Sequence, residues 1–187
     1  MACDSRGPLA LRAAPDRAAP HAVVGERVVL SWSGGKDCCL ALHRAIASGA
    51  VPGALLTVFT EDGTRSRSHG LARSVLEAQA AALGVELRTT AASWQDYRAK
   101  LVQLLAAAQR DGARAAVFGD IDIDAHRDWE LAVARDAGLT GLLPLWGASR
   151  RELLDEWWRL GFEARIIVVR EGVLSREYLG RVLDAKL

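Results

Sequence analysis

From residue 27 onward the chain alternates short apolar runs with stretches whose apolar positions recur every three or four residues. The run at 27–32 reads as a buried strand, dense in valine and leucine. A helix follows over 37–48 and offers Leu40, Leu42, Ala45 and Ile46 to a core. A strand at 53–60 precedes a helix over 71–83, where Leu71, Val75, Leu76, Gln79 and Leu83 share helical spacing and Gly84 is the stop signal. Further strands are expected at 85–89, 115–118, 141–145 and 164–169, and further helices at 95–110, 127–137 and 150–160. This alternation predicts an α/β fold, a doubly wound, Rossmann-like parallel sheet of about five to six strands with helices on both faces. Ligands of such sheets sit outside the carboxyl ends of the strands. The segments after 27–32 and 115–118 therefore lie on one edge and can build one site.

Residues 1–24 break the pattern. They are rich in Ala, Pro and Arg and aperiodic, and read as a flexible tail without chemistry, ahead of a single domain over 25–187. No continuous apolar stretch marks a signal peptide or a membrane span, so no membrane partner and a cytoplasmic location are expected. The three cysteines, Cys3, Cys38 and Cys39, cannot form a disulfide framework, which fits a reducing compartment. A net charge of +1 argues against a nucleic-acid partner. A homodimer is kept open.

The junction between the first strand and the first helix carries the densest chemistry. There Ser33-Gly34-Gly35-Lys36-Asp37-Cys38 places two glycines, a lysine and a helix N-terminus together. Adjacent glycines let backbone approach a ligand, the first helical N–H groups lack partners, and the dipole adds partial positive charge. An anion such as a phosphate chain suits that spot. The kinase-type loop is excluded, because Leu30 stands where its first glycine belongs and Asp37 where its hydroxyl belongs. No Gly-x-Gly-x-x-Gly occurs either. Lys36 is one of only three lysines among 24 basic residues, so an incidental lysine is the weaker reading. A Gly-rich turn that binds nothing is the bland alternative. Cys38 has two readings: a thiol of lowered pKa at the helix start, or a drifted position where backbone already holds the phosphate.

The second constellation is Asp120-Ile-Asp122-Ile-Asp124-Ala-His126-Arg127. An EF-hand is excluded, since Ala125 and Leu131 stand where glycine and glutamate are required. Magnesium shared between a carboxylate and phosphates is one reading; a polar loop with Asp124 capping the next helix is the other. Asp120, at the strand end, is the carboxylate most expected to function. His69 lies in a loop with Arg65, Arg67 and Arg73, which either closes over a ligand or is simply solvated. Among the tryptophans, Trp32, Trp157 and Trp158 are expected to pack, and so is Trp146, although its place on the site edge would also let it wall a pocket.

The hexapeptide resembles the loop of the ATP pyrophosphatases, the PP-loop family, whose pattern is Ser-Gly-Gly-x-Asp-Ser. Together with His69-Gly70, Glu77-Ala-Gln79-Ala, Gly119-Asp120-Ile121, Pro144-Leu145-Trp146, Gly161-Phe162 and Leu179-Gly180-Arg181, it follows the order of the diphthine–ammonia ligase (diphthamide synthetase) family, and in particular of its bacterial relatives. The resemblance covers about residues 27–184. It implies an adenine nucleotide alpha-hydrolase-like fold, ATP and Mg²⁺ as cofactors, and a reaction that adenylates a carboxylate acceptor and amidates it with ammonia. Carried onto this chain, it implies ATP binding by Ser33, Gly34, Gly35, Lys36, Asp37 and Cys38, with adenine on backbone near Thr57 and Phe59. Gly119 and Asp120 would face the α-phosphate, Asp37 and Asp120 would meet magnesium, and Lys36, Asp37 and Asp120 would carry catalysis. His69, His126 and Arg127 are candidates for the acceptor side. Cys38 departs from the family serine, and a Gly- and Glu-rich segment found in many members has no counterpart before Leu187. A non-catalytic ATP- or AMP-binding module is the alternative. A tRNA-modifying pyrophosphatase is disfavoured by the near-neutral charge and the lack of Cys-x-x-Cys.

Overall fold

A computed structural model describes residues 23–184. The tail expected over 1–24 lies outside these residues except for Val23 and Val24. Five parallel strands form one sheet in the order β3-β2-β1-β4-β5: β1 Arg27–Ser31, β2 Val51–Phe59, β3 Glu86–Ala91, β4 Ala115–Val117 and β5 Thr140–Leu142. Helices α1 Lys36–Ala47, α2 Arg73–Leu83, α3 Tyr97–Arg110, α4 Asp124–Asp136 and α5 Arg150–Arg159 cover both faces. The α/β doubly wound expectation holds.

Two apolar cores explain the layering. Val28 and Leu30 point from β1 toward Leu40, Leu42 and Leu76 on one face, joined by Leu153 and Trp157 of α5. Val29, Leu56 and Ala116 point to the other, against Leu101 and Leu105 of α3 and Val133 and Ala134 of α4. Strand side chains alternate between faces, so a fully buried parallel strand must be apolar on both, as the Val-Val-Leu of β1 is.

Two expectations are corrected. The apolar run 164–169 is not a strand of the sheet. It makes one antiparallel bridge, Arg165 to Val182, and leaves Ile167 and Val168 49% and 69% exposed. The chain folds back there on its own end, with Leu183 N–H donating to Ala164 O, instead of extending the sheet. Helix α4 begins at Asp124 rather than 127, with Ile123 as an N-cap that supplies no side-chain bond. Asp124 therefore does not cap; it sits in the first turn and pairs with Arg127 at 2.8 Å. Among the described residues no helix is long and apolar enough to cross a membrane.

Candidate functional site

The loop after β1 is held in a shape that presents backbone. Gly34 adopts φ +76°, the left-handed region that glycine enters at least cost. Gln79 of α2 clamps the turn: its Nε2 donates to Gly34 O at 3.1 Å, and its Oε1 accepts from the Trp32 indole at 3.0 Å. Gly35 is the N-cap of α1 and has no side chain to satisfy the helix start. The first bond of the turn runs from Cys39 N–H to Gly35 O, so the N–H groups of Lys36, Asp37 and Cys38 have no acceptor within the helix. These donors, beside the Lys36 ammonium, fit a phosphate chain.

Strand β4 ends against this same turn. A Cβ on Gly119 would stand 2.9 Å from Cys38 N and 3.0 Å from Asp37 C. Only glycine permits that approach, and it brings Asp120 beside the start of α1. One cavity of about 680 Å³ is lined by Ser33, Lys36, Asp37 and Cys38 on one side and by Gly119, Asp120, His126 and Glu130 on the other. His69 lines it too, above the loop, with its Nε2 3.0 Å from where a Gly35 Cβ would lie.

Charge in the cavity is already organised. Lys36 Nζ contacts both oxygens of Asp37, at 2.7 and 2.8 Å. Arg150, at the start of α5, donates to both oxygens of Asp122 at 3.1 and 3.0 Å, and that carboxylate strengthens its hold on its proton. His126 Nδ1 meets Asp120 Oδ1 at 2.8 Å. Glu130 is only 9% exposed; burial first, then its bond and proximity to Asp120, push its carboxyl up to about 10. A Glu130 carboxyl that keeps its proton donates to Asp120.

The residues expected from the sequence divide accordingly. Ser33, Lys36, Asp37, Cys38, His69, Gly119, Asp120 and His126 all line the cavity. Gly34 and Gly35 shape its loop. Asp37 and Asp120 fit magnesium only in company, because among the described residues no group of three or more His, Cys, Asp or Glu is placed to hold a metal alone. Shared ligation with phosphate oxygens is what these residues could offer. Thr57 and Phe59 are not brought in. Thr57 is buried with its hydroxyl donating to Trp32 O at 2.7 Å, and the Phe59 carbonyl accepts from Ala92 N–H. Arg127 also turns away, to Asp124, Asp128 and the face of Trp146 at 4.7 Å.

Cys38 resolves against a reactive thiol. It is 4% exposed, its Sγ donates to Gly35 O at 3.1 Å, and burial raises its pKa despite the helix start. Sequence reasoning passed over Glu130, Tyr97, Trp129 and Arg150. One signal was available for Glu130: it shares the stripe of Val133 and Ala134, so a carboxylate stands where that face of α4 is buried.

No curated protein matches the chain. Among solved structures, a crystal structure of a predicted subunit of tRNA methyltransferase from Methanocaldococcus jannaschii is similar at 14% identity and a TM-score of 0.46, covering 70% of this chain and 74% of that one. The family model for the diphthamide synthase N-terminal domain matches residues 26–141, more than half of the chain, and takes in both walls of the cavity as far as Glu130. With its Ser-Gly-Gly-Lys-Asp turn between β1 and α1 and its five-stranded parallel sheet, the chain belongs to the diphthamide synthase N-terminal domain family, within the PP-loop superfamily.

Proposed function

We propose that the protein is an ATP pyrophosphatase of the amide-forming kind. In this reading ATP lies with its β- and γ-phosphates on the N–H groups of Lys36, Asp37 and Cys38. A carboxylate acceptor attacks the α-phosphorus, the bond to pyrophosphate breaks, and an acyl adenylate forms. Ammonia then attacks the acyl carbon, the bond to AMP breaks, and the nitrogen loses a proton to leave an amide. The observation that supports this most is the single cavity with an anion-binding turn on one wall and Asp120 on the other.

The residues have separable tasks. Lys36 and the helix start neutralise charge developing on the departing pyrophosphate, the kind of preorganised stabilisation that lowers such barriers most. Asp37 holds the Lys36 ammonium in place until phosphate competes for it. Magnesium, when bound with ATP, would add charge neutralisation between Asp37, Asp120 and the phosphates. No protein nucleophile is needed.

The test is to incubate the protein with ATP, Mg²⁺, ammonium and a panel of carboxylates, and to measure AMP and pyrophosphate. Formation of both with one acceptor is expected. ATP binding without AMP from any acceptor would replace this reading with a non-catalytic nucleotide-binding module.

A further inference from the structure

Among the described residues two full cations line the cavity, Lys36 and Arg150, and each rests on a carboxylate of the same lining. Lys36 meets Asp37 at 2.7 Å and Arg150 meets Asp122 at 3.0 Å. Arg150 is the first residue of α5 and reaches the segment after β4, where its Nε and Nη2 donate to both Asp122 oxygens. A guanidinium that faces two oxygens in this way offers the same fork to a phosphate. Arg150 also stands toward the phosphate loop. After Asp122, Asp37 is the other carboxylate whose charge strengthens its hold on its proton.

The pair does little to hold the fold. Its side chains are 72% and 45% exposed, and solvent leaves such a pair with almost no net stabilising effect. Other contacts seat α5. Ser149 and Glu152 close its first turn as a capping box, Gly147 N–H donates to Ile121 O at 2.9 Å, and Leu153 and Trp157 are buried in the core. Arg150 can therefore change partners at small cost. A triphosphate carries several negative charges, more than the Lys36 ammonium and the half-charge of a helix start can offset. We propose that Arg150 is a second phosphate-binding residue, parked on Asp122 until a triphosphate enters and then closed over its terminal phosphates. In this role Asp122 competes with the ligand for the guanidinium and lowers the ligand's affinity. The proposal rests on the ATP-binding reading of the cavity, not on the amide-forming reaction.

The test is calorimetric titration of the full chain with a non-hydrolysable ATP analogue and Mg²⁺. Arg150→Ala should weaken the analogue about 10-fold or more, and Arg150→Lys should recover part of the loss. Asp122→Asn should act in the opposite direction and tighten the analogue by about two- to fivefold. Because Asp122 acts through Arg150, the same change should gain nothing in an Arg150→Ala background. A pair that merely fastened α5 would give losses of one sign in both single variants. Parent affinity in Arg150→Ala, a weaker analogue in Asp122→Asn, or a gain that persists without Arg150 overturns the proposal. The two readings fail separately. If Lys36→Ala weakens the analogue and Arg150→Ala does not, the nucleotide site stands and this role of Arg150 falls. If the Arg150 and Asp122 variants behave as expected and yet no acceptor yields AMP, Arg150 keeps its role and the proposed reaction falls.

Discussion

The turn after β1 and the segment after β4 face each other across one cavity but are built by opposite means. The first works through backbone: contiguous residues, a glycine at φ +76°, and three helix N–H groups without acceptors inside α1. The second works through side chains that converge from Asp120, His126 and Glu130, on a strand end and two turns of α4. Gly119 joins them, because its missing Cβ lets the end of β4 rest on the start of α1. The difference shows how one sheet edge can set unpaired backbone donors and a group of carboxyls on opposite walls of one cavity. One wall uses fixed backbone dipoles, while on the other burial and the neighbouring Asp120 hold a proton on Glu130.

The largest effect that separates the walls is expected from Lys36→Ala. Losing a charge-assisted bond of about 1.5–3 kcal/mol should weaken ATP binding roughly 10- to 100-fold by calorimetry. An unchanged affinity would remove the anion role of the first wall. Gly119→Ala attacks the join itself. Its new methyl group meets backbone at 2.9 Å, and overpacking of that kind costs about 1–3 kcal/mol, visible as a lower urea midpoint. A variant as stable as the parent would mean that the two walls are not clamped.

The acidic wall has its own signature in pH. Glu130 holds its proton to about 10 when folded, against 4.5 as its ordinary value. Between those values the folded state binds a proton that the unfolded chain has released, so stability falls as pH rises. Urea midpoints taken upward from neutral pH should decline, and Glu130→Gln, which cannot ionise, should flatten the decline. Parallel slopes in the two proteins would contradict the buried carboxyl pair. The smallest effect is expected at Cys38→Ser, because a hydroxyl can also donate to Gly35 O; a cost of about 1 kcal/mol or less is anticipated from denaturation. In the folded protein Cys38 and Cys39 should resist thiol reagents, since burial raises the first and pushes the second up to about 12. Rapid labelling of Cys38 would restore the reactive-thiol reading.

The same contrast explains what could be read from the sequence. The strand–turn–helix around Ser33–Asp37 was legible because its chemistry is local: residue type and order dictate the turn. The central strands β1, β2 and β4 were legible because buried parallel strands are apolar on both faces, whereas the partly exposed edge strands β3 and β5 were read from their place in the strand–helix alternation. The run at 164–169 has the same composition but no neighbouring strand to pair with, so periodicity alone misassigned it. Asp122 and Asp124 read as metal ligands or caps, and both instead pair with arginines, one of them 28 residues away. Glu130 and Arg150 were missed because their partners are set by tertiary packing. Thr57 and Phe59 were placed by resemblance, for the backbone between them, and neither lines the cavity of Lys36 and Asp120.

The most direct measurement is an amide-resolved NMR titration of the protein with a non-hydrolysable ATP analogue and Mg²⁺. The largest shifts are expected at the N–H groups of Gly35, Lys36, Asp37 and Cys38, with a second, smaller set at Gly119 and Asp120. Shifts that spare the start of α1 and cluster elsewhere would contradict a phosphate site on this turn.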